Sequence, residues 1–187
     1  MEQILVSHIE KSITLSEDEI TYVLSHFRTE KFKKKESIIH AGSRVNDCYF
    51  IIKGLLKLVY TDKNGKPHLV SFAMEEWWES DFSAYFSQTS AKMSLQCIED
   101  TIVFSLSFKN YQKLVTEMPK MSYFFLEKSN AGHCAAQNRI LSFLTANAQE
   151  RYEQLLQQQP LLLQRVPKTI LASYLGVSRE TLSRFSF

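Results

Sequence analysis

The chain has 187 residues, of which 44% are hydrophobic, so it is long enough for one large or two small globular domains. Its formal net charge of +2 does not by itself indicate a nucleic-acid partner, although the segment from Arg139 onward has six basic and three acidic residues. There is no bilayer-length apolar run and no signal-peptide layout, so we expect a cytoplasmic protein without membrane contact.

The cysteines do not form a motif. Cys48, Cys97 and Cys134 are odd in number and far apart, with no Cys-x-x-Cys pair. This pattern predicts neither a disulfide framework nor a zinc site, and we expect buried free thiols in a reducing cytoplasm and no bound metal.

The first 30 residues have the pattern of a helix. Ser16 followed by Glu19 is typical of a capping box, in which two backbone N–H groups at the helix start are satisfied reciprocally. An apolar stripe at helical spacing follows, at Ile20, Val23, Leu24 and Phe27.

From about residue 31 the pattern becomes that of short strands. Residues 48–54, 56–60, 68–72, 94–97 and 101–106 are rich in β-branched and aromatic side chains, and Asn64-Gly65 between two of them is a strong hairpin signal. Short strands separated by turns predict an antiparallel β-roll or barrel.

Residues 74–89 are rich in aromatic side chains. We expect a loop and a short helix there, covering one mouth of the roll. Such side chains line small-molecule pockets, and they also fill ordinary cores, so both interpretations stay open. The aromatic residues are Trp77, Trp78, Phe82, Tyr85 and Phe86.

A long helix is predicted over residues 119–146, because the segment has no proline after Pro119 and only one glycine. At 1.5 Å per residue it would be about 40 Å long, which exceeds the width of a small domain. Small residues such as Ala131 and Ala135 would let a second helix approach closely. We therefore predict a homodimer that pairs through this helix, with Phe125, Ala131 and Ala135 at the contact.

The C-terminal segment predicts two helices joined by a tight turn. Pro167 suits a helix start, Gly176 suits a left-handed helix end, and Ser178 suits the cap of a second helix. Leu182 and Phe185 give the second helix a buried stripe.

The exposed side of the second helix would carry side chains that can reach base edges in a DNA major groove, as in a helix-turn-helix. Lys168 and Thr169 begin the first helix, where a phosphate would meet positive charge and free N–H groups. An αα-hairpin with a solvated charged face is the alternative. The candidate DNA-binding residues are Lys168, Thr169, Ser178, Arg179, Glu180, Ser183 and Arg184.

The order of parts resembles the Crp/Fnr family of bacterial transcription regulators, most specifically in residues 178–184, Ser-Arg-Glu-Thr-Leu-Ser-Arg. The resemblance implies an α+β fold: a cyclic-nucleotide-binding-like jelly roll over 1–118, a dimerisation helix over 119–146 and a helix-turn-helix domain over 147–187. It also implies double-stranded DNA and RNA polymerase as partners. Carried over by position, Arg179, Glu180 and Arg184 would contact bases.

The region that corresponds to the family's nucleotide pocket departs from the pattern of members that bind cyclic AMP. No glycine precedes Glu79, and no arginine precedes Ser90-Ala91, so a cyclic phosphate would lack its bidentate partner. We therefore expect no response to cyclic AMP and no cofactor; any small effector is unidentified. The candidate pocket residues are Trp78, Glu79, Ser80, Ser90, Ala91 and Lys92.

Two further alternatives remain. The chain ends at Phe187, where family members usually continue, so we expect a short or truncated DNA-binding part, and a dimeric ligand-binding signalling module without DNA binding is the second hypothesis. An enzyme on a cupin-like roll would need clustered histidines and a carboxylate. His68 near Glu75 and Glu76 is the only candidate, so we expect no enzymatic activity.

Overall fold

Two helices precede the sheets. The computed structural model describes residues 1–185, with α1 over Glu2–Glu10 and α2 over Glu17–Leu24. The predicted capping box is confirmed. Ser16 Oγ accepts a hydrogen bond from the Glu19 N–H at 3.3 Å, and the Glu19 carboxylate accepts one from the Ser16 N–H at 2.8 Å.

The prediction that Phe27 lies on the apolar stripe of α2 is wrong. The helix ends at Leu24, and the Ser25 hydroxyl donates to the Tyr22 carbonyl at 2.6 Å just beyond it. Phe27 instead begins the first strand and pairs with Leu106. An apolar residue at this position fits both the helical and the strand periodicity. The pairing of Phe27 with Leu106 determines that it belongs to a strand.

Within residues 1–185, eight strands form two four-stranded antiparallel sheets. The strands are β1 (Phe27–Phe32), β2 (Ser37–Ile39), β3 (Asp47–Lys53), β4 (Leu56–Thr61), β5 (Pro67–Ala73), β6 (Trp78–Glu79), β7 (Met93–Cys97) and β8 (Thr101–Ser107). Sheet 1 has the order β1-β8-β3-β6, and sheet 2 has the order β2-β7-β4-β5.

The two sheets and α1 enclose the first hydrophobic core. Consecutive residues of β3 and β8 are buried, so these two strands are covered on both faces. The fully buried side chains of this core include Leu5, Ile9, Phe50, Ile51, Leu56, Tyr85, Leu95, Val103, Leu106, Leu114, Met121 and Phe124. The predicted α+β architecture with an antiparallel roll is confirmed.

The predicted hairpin joins β4 to β5. Gly65 has φ +77°, a conformation that glycine adopts without steric cost. Asp62 Oδ1 accepts hydrogen bonds from the backbone N–H groups of Asn64 at 2.9 Å and Lys66 at 3.0 Å, which closes the turn.

The aromatic segment forms β6 and a short helix, α3 (Phe82–Ser87). Tyr85 is fully buried, with its hydroxyl donating to the Leu106 carbonyl at 3.2 Å. Phe82 and Phe86 are exposed and stack with a centroid separation of 6.1 Å. Tyr85 is thus packed as a core residue rather than as a pocket wall.

Helices make up the remainder of the described chain. They are α4 (Phe108–Glu117), α5 (Pro119–Thr145), α6 (Ala148–Gln158), α7 (Pro160–Arg165), α8 (Lys168–Leu175) and α9 (Arg179–Ser183). The long predicted helix is confirmed as α5, with 27 residues. Within residues 1–185, no helix is both long enough and apolar enough to cross a membrane.

A second hydrophobic core joins sheet 2 to the C-terminal helices. The roll contributes Leu55, Val59, Leu69, Phe72 and Ile98, and the helices contribute Leu162, Val166, Leu171, Ala172, Leu175 and Leu182. The helical region therefore packs directly on the roll of its own chain.

Candidate functional site

The two C-terminal helices have the geometry of a helix-turn-helix. Helix α8 ends at Gly176, which has φ +74°, and the Val177 N–H donates to the Ala172 carbonyl at 3.0 Å. Ser178 Oγ accepts a hydrogen bond from the Thr181 N–H at 3.1 Å and so caps α9. Leu182 is buried beneath the second helix, as predicted.

Two boundaries differ from the sequence prediction. Pro167 is the residue before α8 rather than inside it, and α9 ends at Ser183, so Phe185 lies beyond the helix. Phe185 still packs against Tyr152, with a centroid separation of 6.2 Å. Ser186 and Phe187 lie outside the described residues.

The seven candidate DNA-binding side chains are exposed. Two of the hydroxyls are already engaged: Ser178 Oγ caps α9, and Ser183 Oγ donates to the Arg179 carbonyl at 3.0 Å. The backbone N–H of Glu180 and the Ser178 hydroxyl lower the pKa of the Glu180 carboxyl, which is therefore ionised at neutral pH. The face can present two guanidinium groups and one carboxylate to a partner.

Two arginines hold the helix-turn-helix in place by donating hydrogen bonds to backbone carbonyls. Arg151 donates to the carbonyls of Leu175 at 2.8 Å and Ala146 at 2.6 Å. Arg139 donates to the Leu69 carbonyl at 3.2 Å and stacks on the Tyr174 ring, 3.6 Å from its centroid. In the sequence, both arginines stand out only as part of the basic excess from Arg139 onward, because their partners lie up to 70 residues away.

A third arginine ties the helices to the roll through carboxylates. Arg165 contacts Glu75 at 2.6 and 3.0 Å and Glu99 at 2.7 and 3.1 Å. Planar guanidinium groups suit this two-sided recognition of carboxylates. Composition and spacing do not indicate this contact either. His68 was considered as a neighbour of Glu75, but His68 Nε2 instead lies 2.9 Å from Asp62 Oδ2.

The interior of the roll contains two buried carboxylates. Asp81 Oδ1 accepts a hydrogen bond from the Ala84 N–H at 3.2 Å, and Oδ2 accepts from the N–H groups of Lys92 at 2.8 Å and Met93 at 3.1 Å. Asp81 is fully buried, and these three N–H groups satisfy its carboxylate oxygens in place of water. Sequence reasoning did not single it out, although an aspartate before a short helix is a capping signal.

The second buried carboxylate is Glu79. It accepts hydrogen bonds from the Ser71 hydroxyl at 2.6 Å and the Ser80 N–H at 3.1 Å. Burial raises the pKa of Glu79 to about 7, with a smaller contribution from the negative charge of Asp81. Within residues 1–185, no group of three His, Cys, Asp or Glu side chains is placed to hold a metal ion.

Comparison with known proteins gives this geometry its context. The profile of the cyclic nucleotide-binding domain family matches residues 29–117, which span most of the roll and α4. The cAMP-activated global transcriptional regulator CRP of Haemophilus influenzae is 24% identical over 128 residues, covering 64% of this chain and 56% of that protein. Residues 29–117 are thus similar to cyclic nucleotide-binding domains, and the wider chain is similar to regulators of the Crp/Fnr type.

Relatives and solved structures agree on the Crp/Fnr architecture. CRP of Pasteurella multocida is 20% identical over 54% of this chain and 48% of its own, so the chain spans about half the length of the curated relatives it matches. FixK2 from Bradyrhizobium japonicum has a TM-score of 0.75 at 16% identity, covering 85% of this chain and 82% of its own. A CooA mutant from Carboxydothermus hydrogenoformans has a TM-score of 0.72 at 17% identity, covering 95% and 80%.

The candidate pocket residues of this chain do not form one open site. Glu79, Ser80 and Ala91 are buried, Trp78 is half-buried, and the side chains of Ser90 and Lys92 are exposed. Trp78 packs against Phe50 and Phe124, with centroid separations of 5.2 and 6.2 Å. The structure therefore buries Glu79, Ser80 and Ala91 within the roll and leaves the Lys92 ammonium outside it.

Proposed function

We propose that this chain is a DNA-binding transcription regulator of the Crp/Fnr type, acting as a homodimer and not responding to cyclic AMP. The observation that carries the proposal is the exposed polar face of α9 on a helix-turn-helix whose other face is buried. Arg179 and Arg184 can bind guanine edges bidentately, and Glu180 can accept from cytosine. Lys168 and Thr169 at the start of α8 would meet the phosphate backbone.

Exposed apolar side chains on α5 support the homodimer. Residues 129–138 are exposed or half-buried on every side of the helix, so its middle has little cover from its own chain. Four apolar side chains of this helix are 58–78% exposed: Tyr123, Leu126, Ile140 and Leu144. They lie three, fourteen and four residues apart, which fits a seven-residue repeat. A twin helix would cover this seam as in a parallel coiled coil. Two-fold pairing would place two recognition helices on half-sites about one DNA turn apart.

The three residues proposed for the pairing surface differ in their surroundings. Ala131 and Ala135 are exposed along the uncovered part of α5. Phe125 is half-buried on its own roll, 4.9 Å from the Tyr111 ring and 5.9 Å from the Trp78 ring by centroid. In the proposed dimer, Leu126 replaces Phe125 as the neighbouring apolar contact.

The buried carboxylates support the absence of a cyclic AMP response. A cyclic phosphate in the roll interior would place a second negative charge beside Asp81, which already uses the N–H groups of Lys92 and Met93. The residue immediately before Ser90 is Thr89 rather than an arginine, and the side chain of Arg44, which pairs with Ser90 in an isolated β-bridge, is exposed. The effector of the proposed regulator, if it has one, is therefore not expected to be a cyclic phosphate.

The proposal is tested by selecting sequences from a pool of random DNA duplexes with the full chain. We expect enrichment of a two-fold symmetric site. Arg179→Ala should weaken binding to that site by about 1–3 kcal/mol and relax the preference at one base position. Arg44→Ala, which removes an exposed arginine from the roll, is the matched control and should leave binding unchanged.

A selection that enriches no sequence, from a protein that still dimerises, would favour the ligand-binding module without DNA binding. A calorimetric titration with cyclic AMP and cyclic GMP tests the second part of the proposal. We expect no binding heat at millimolar nucleotide. A micromolar affinity would contradict the role assigned to Asp81.

A further inference from the structure

A cleft of about 630 Å³ separates the β4–β5 hairpin from the helix-turn-helix. The hairpin forms one wall, and α8, the turn after it and the first residue of α9 form the other, while Arg139 and Phe143 of α5 also line the cleft. Four of the lining residues are basic or imidazole side chains, and none of the residues that line it carries a carboxylate. The lining residues that matter here are Lys66, His68, Arg139, Thr169, Ser178 and Arg179.

The positive charge beside the Phe143 ring is not balanced by an acid. Arg139 and Arg151 both contact the Phe143 ring, with guanidinium carbons 4.9 and 4.7 Å from its centroid. Their hydrogen bonds go to backbone carbonyls, and Arg151 Nε is buried without a partner. Neither guanidinium forms an ion pair among residues 1–185. Arg139 lines the cleft without an acidic partner among the described residues, and Arg151 adds a second positive charge at the neighbouring Phe143 ring. Positive charge of this kind in a narrow cleft focuses a positive potential into it.

The tip of the hairpin adds two exposed ammonium groups. Asp62, the acidic residue of the turn, is held by the N–H groups of Asn64 and Lys66 and by the His68 ring. Lys63 and Lys66 form no ion pair with a carboxylate within the described part of the chain, and both side chains are exposed. The hairpin thus presents two exposed lysines, of which Lys66 lines the cleft together with Arg179.

We propose that the β4–β5 hairpin is part of the DNA interface, and that the phosphodiester backbone of the bound duplex runs through this cleft between Lys66 and Arg179. The inference rests on the proposed function, because the DNA strand placed in this cleft is the one that would flank the major groove entered by α9. Thr169 and Arg179 line the cleft and also belong to the candidate DNA face, so the two surfaces are continuous. Phosphate contacts of this kind fix orientation and carry no base preference.

The test compares the full-length wild type with the double variant Lys63→Gln/Lys66→Gln on the selected duplex over a series of salt concentrations. Each phosphate contact contributes about 0.9 to the slope of log K against log salt. We expect the slope of the double variant to fall by roughly one to two such contacts, with the base preference unchanged. Lys31→Gln/Lys109→Gln, which removes two exposed lysines from β1 and α4, is the matched control and should keep the wild-type slope.

Three results would overturn the inference. An unchanged slope in Lys63→Gln/Lys66→Gln, while Arg179→Ala still weakens binding, would refute the hairpin contact and leave the proposed function intact. Tighter binding by the double variant would show that the hairpin obstructs DNA. Binding heat with tripolyphosphate that the double variant abolishes, with duplex affinity unchanged, would assign the cleft to a free polyphosphate. Failure of the wild type to bind any duplex would refute the proposed function itself.

Discussion

Arg165 and Glu75 form a two-bond fork, with Nη1 donating to Oε2 at 2.6 Å and Nη2 donating to Oε1 at 3.0 Å. Glu75 Oε1 also accepts from the Gly54 N–H at 2.8 Å, so the end of α7 is linked through one carboxylate to the turn between β3 and β4. Glu99 occupies the other side of the guanidinium. This contact and the second core together hold the helix-turn-helix on sheet 2.

Arg165→Met is expected to lower the free energy of unfolding by about 1–3 kcal/mol, because it removes the guanidinium from Glu99 and leaves Glu75 with the Gly54 N–H as a donor. Urea unfolding at neutral pH measures this loss. Arg28→Met, which breaks an exposed pair with Asp47, is the control and should cost less than about 1 kcal/mol. Equal midpoints for Arg165→Met and wild type would contradict a stabilising role for the fork.

The same pair predicts how this loss depends on pH. Burial alone would raise the pKa of Glu75, but hydrogen bonds from Arg165 and the Gly54 N–H outweigh it and lower that pKa. A lowered carboxyl pKa gives stability that is present at neutral pH and is lost as the pH falls through the folded value. The difference between wild type and Arg165→Met should therefore shrink in acid.

Glu79→Gln should change the pH dependence of stability with the opposite sign. Burial raises the pKa of Glu79 from its ordinary value near 4.5 to about 7, so over that range the folded protein holds a proton that the unfolded chain has released. The contribution is full below pH 4.5 and is lost as the pH rises to about 7. At pH 8 the glutamine variant should be more stable than wild type, by on the order of 3 kcal/mol.

Urea unfolding at pH 5 and pH 8 measures this effect, with the exposed Glu10→Gln as control. A glutamine variant that loses stability equally with wild type between the two pH values would show that Glu79 is not the titrating group.

Gly54 and Gly65 offer a matched pair of substitutions. Both have positive φ, but a Cβ at Gly54 would lie 2.5 Å from Thr101 Oγ1 and 2.9 Å from the Asp100 carbonyl, whereas a Cβ at Gly65 meets nothing within 4 Å. Gly65→Ala should cost roughly 1–2 kcal/mol from backbone strain alone. Gly54→Ala should cost more, because the strain and the clash add. Thermal unfolding of both variants measures the two losses of stability. Equal losses would mean that the backbone around Gly54 shifts enough to relieve the clash.

Charge on the exposed seam of α5 should weaken self-association. Leu126→Glu and Ala135→Glu would each place a carboxylate against its twin in the proposed pairing, and we expect the dimer dissociation constant to rise at least about tenfold, or 1.4 kcal/mol. Sedimentation equilibrium measures the constant. Leu161→Glu, at a position that is 61% exposed on α7, should leave it unchanged. Association that ignores both α5 variants would place the interface elsewhere.

The elements that sequence reasoning predicted correctly depend on short-range signals. Ser16 with Glu19, Asn64 with Gly65, and Gly176 with Ser178 each fix a cap or turn through contacts within four residues. Local chemistry decides such features almost independently of the rest of the fold.

The features that escaped prediction depend on distant partners. Asp81 reaches β7 at Lys92 and Met93, and Arg165 reaches Glu75 across 90 residues. Composition and periodicity do not specify which basic residue faces which acid once two sheets and six later helices are packed. The direction of Phe125, toward the roll, is likewise decided by the aromatic rings on the facing elements.

The second core has a consequence for protein engineering. Leu171, Leu175 and Leu182 complete their packing against Leu69 and Phe72 of the roll, so the cut that would free residues 147–185 also opens an apolar surface. A fragment of that length has too little interior of its own to offset the conformational entropy of folding. The helix-turn-helix of this chain is therefore not expected to fold when moved alone into another protein, and a chimera that contains it must include sheet 2 as well.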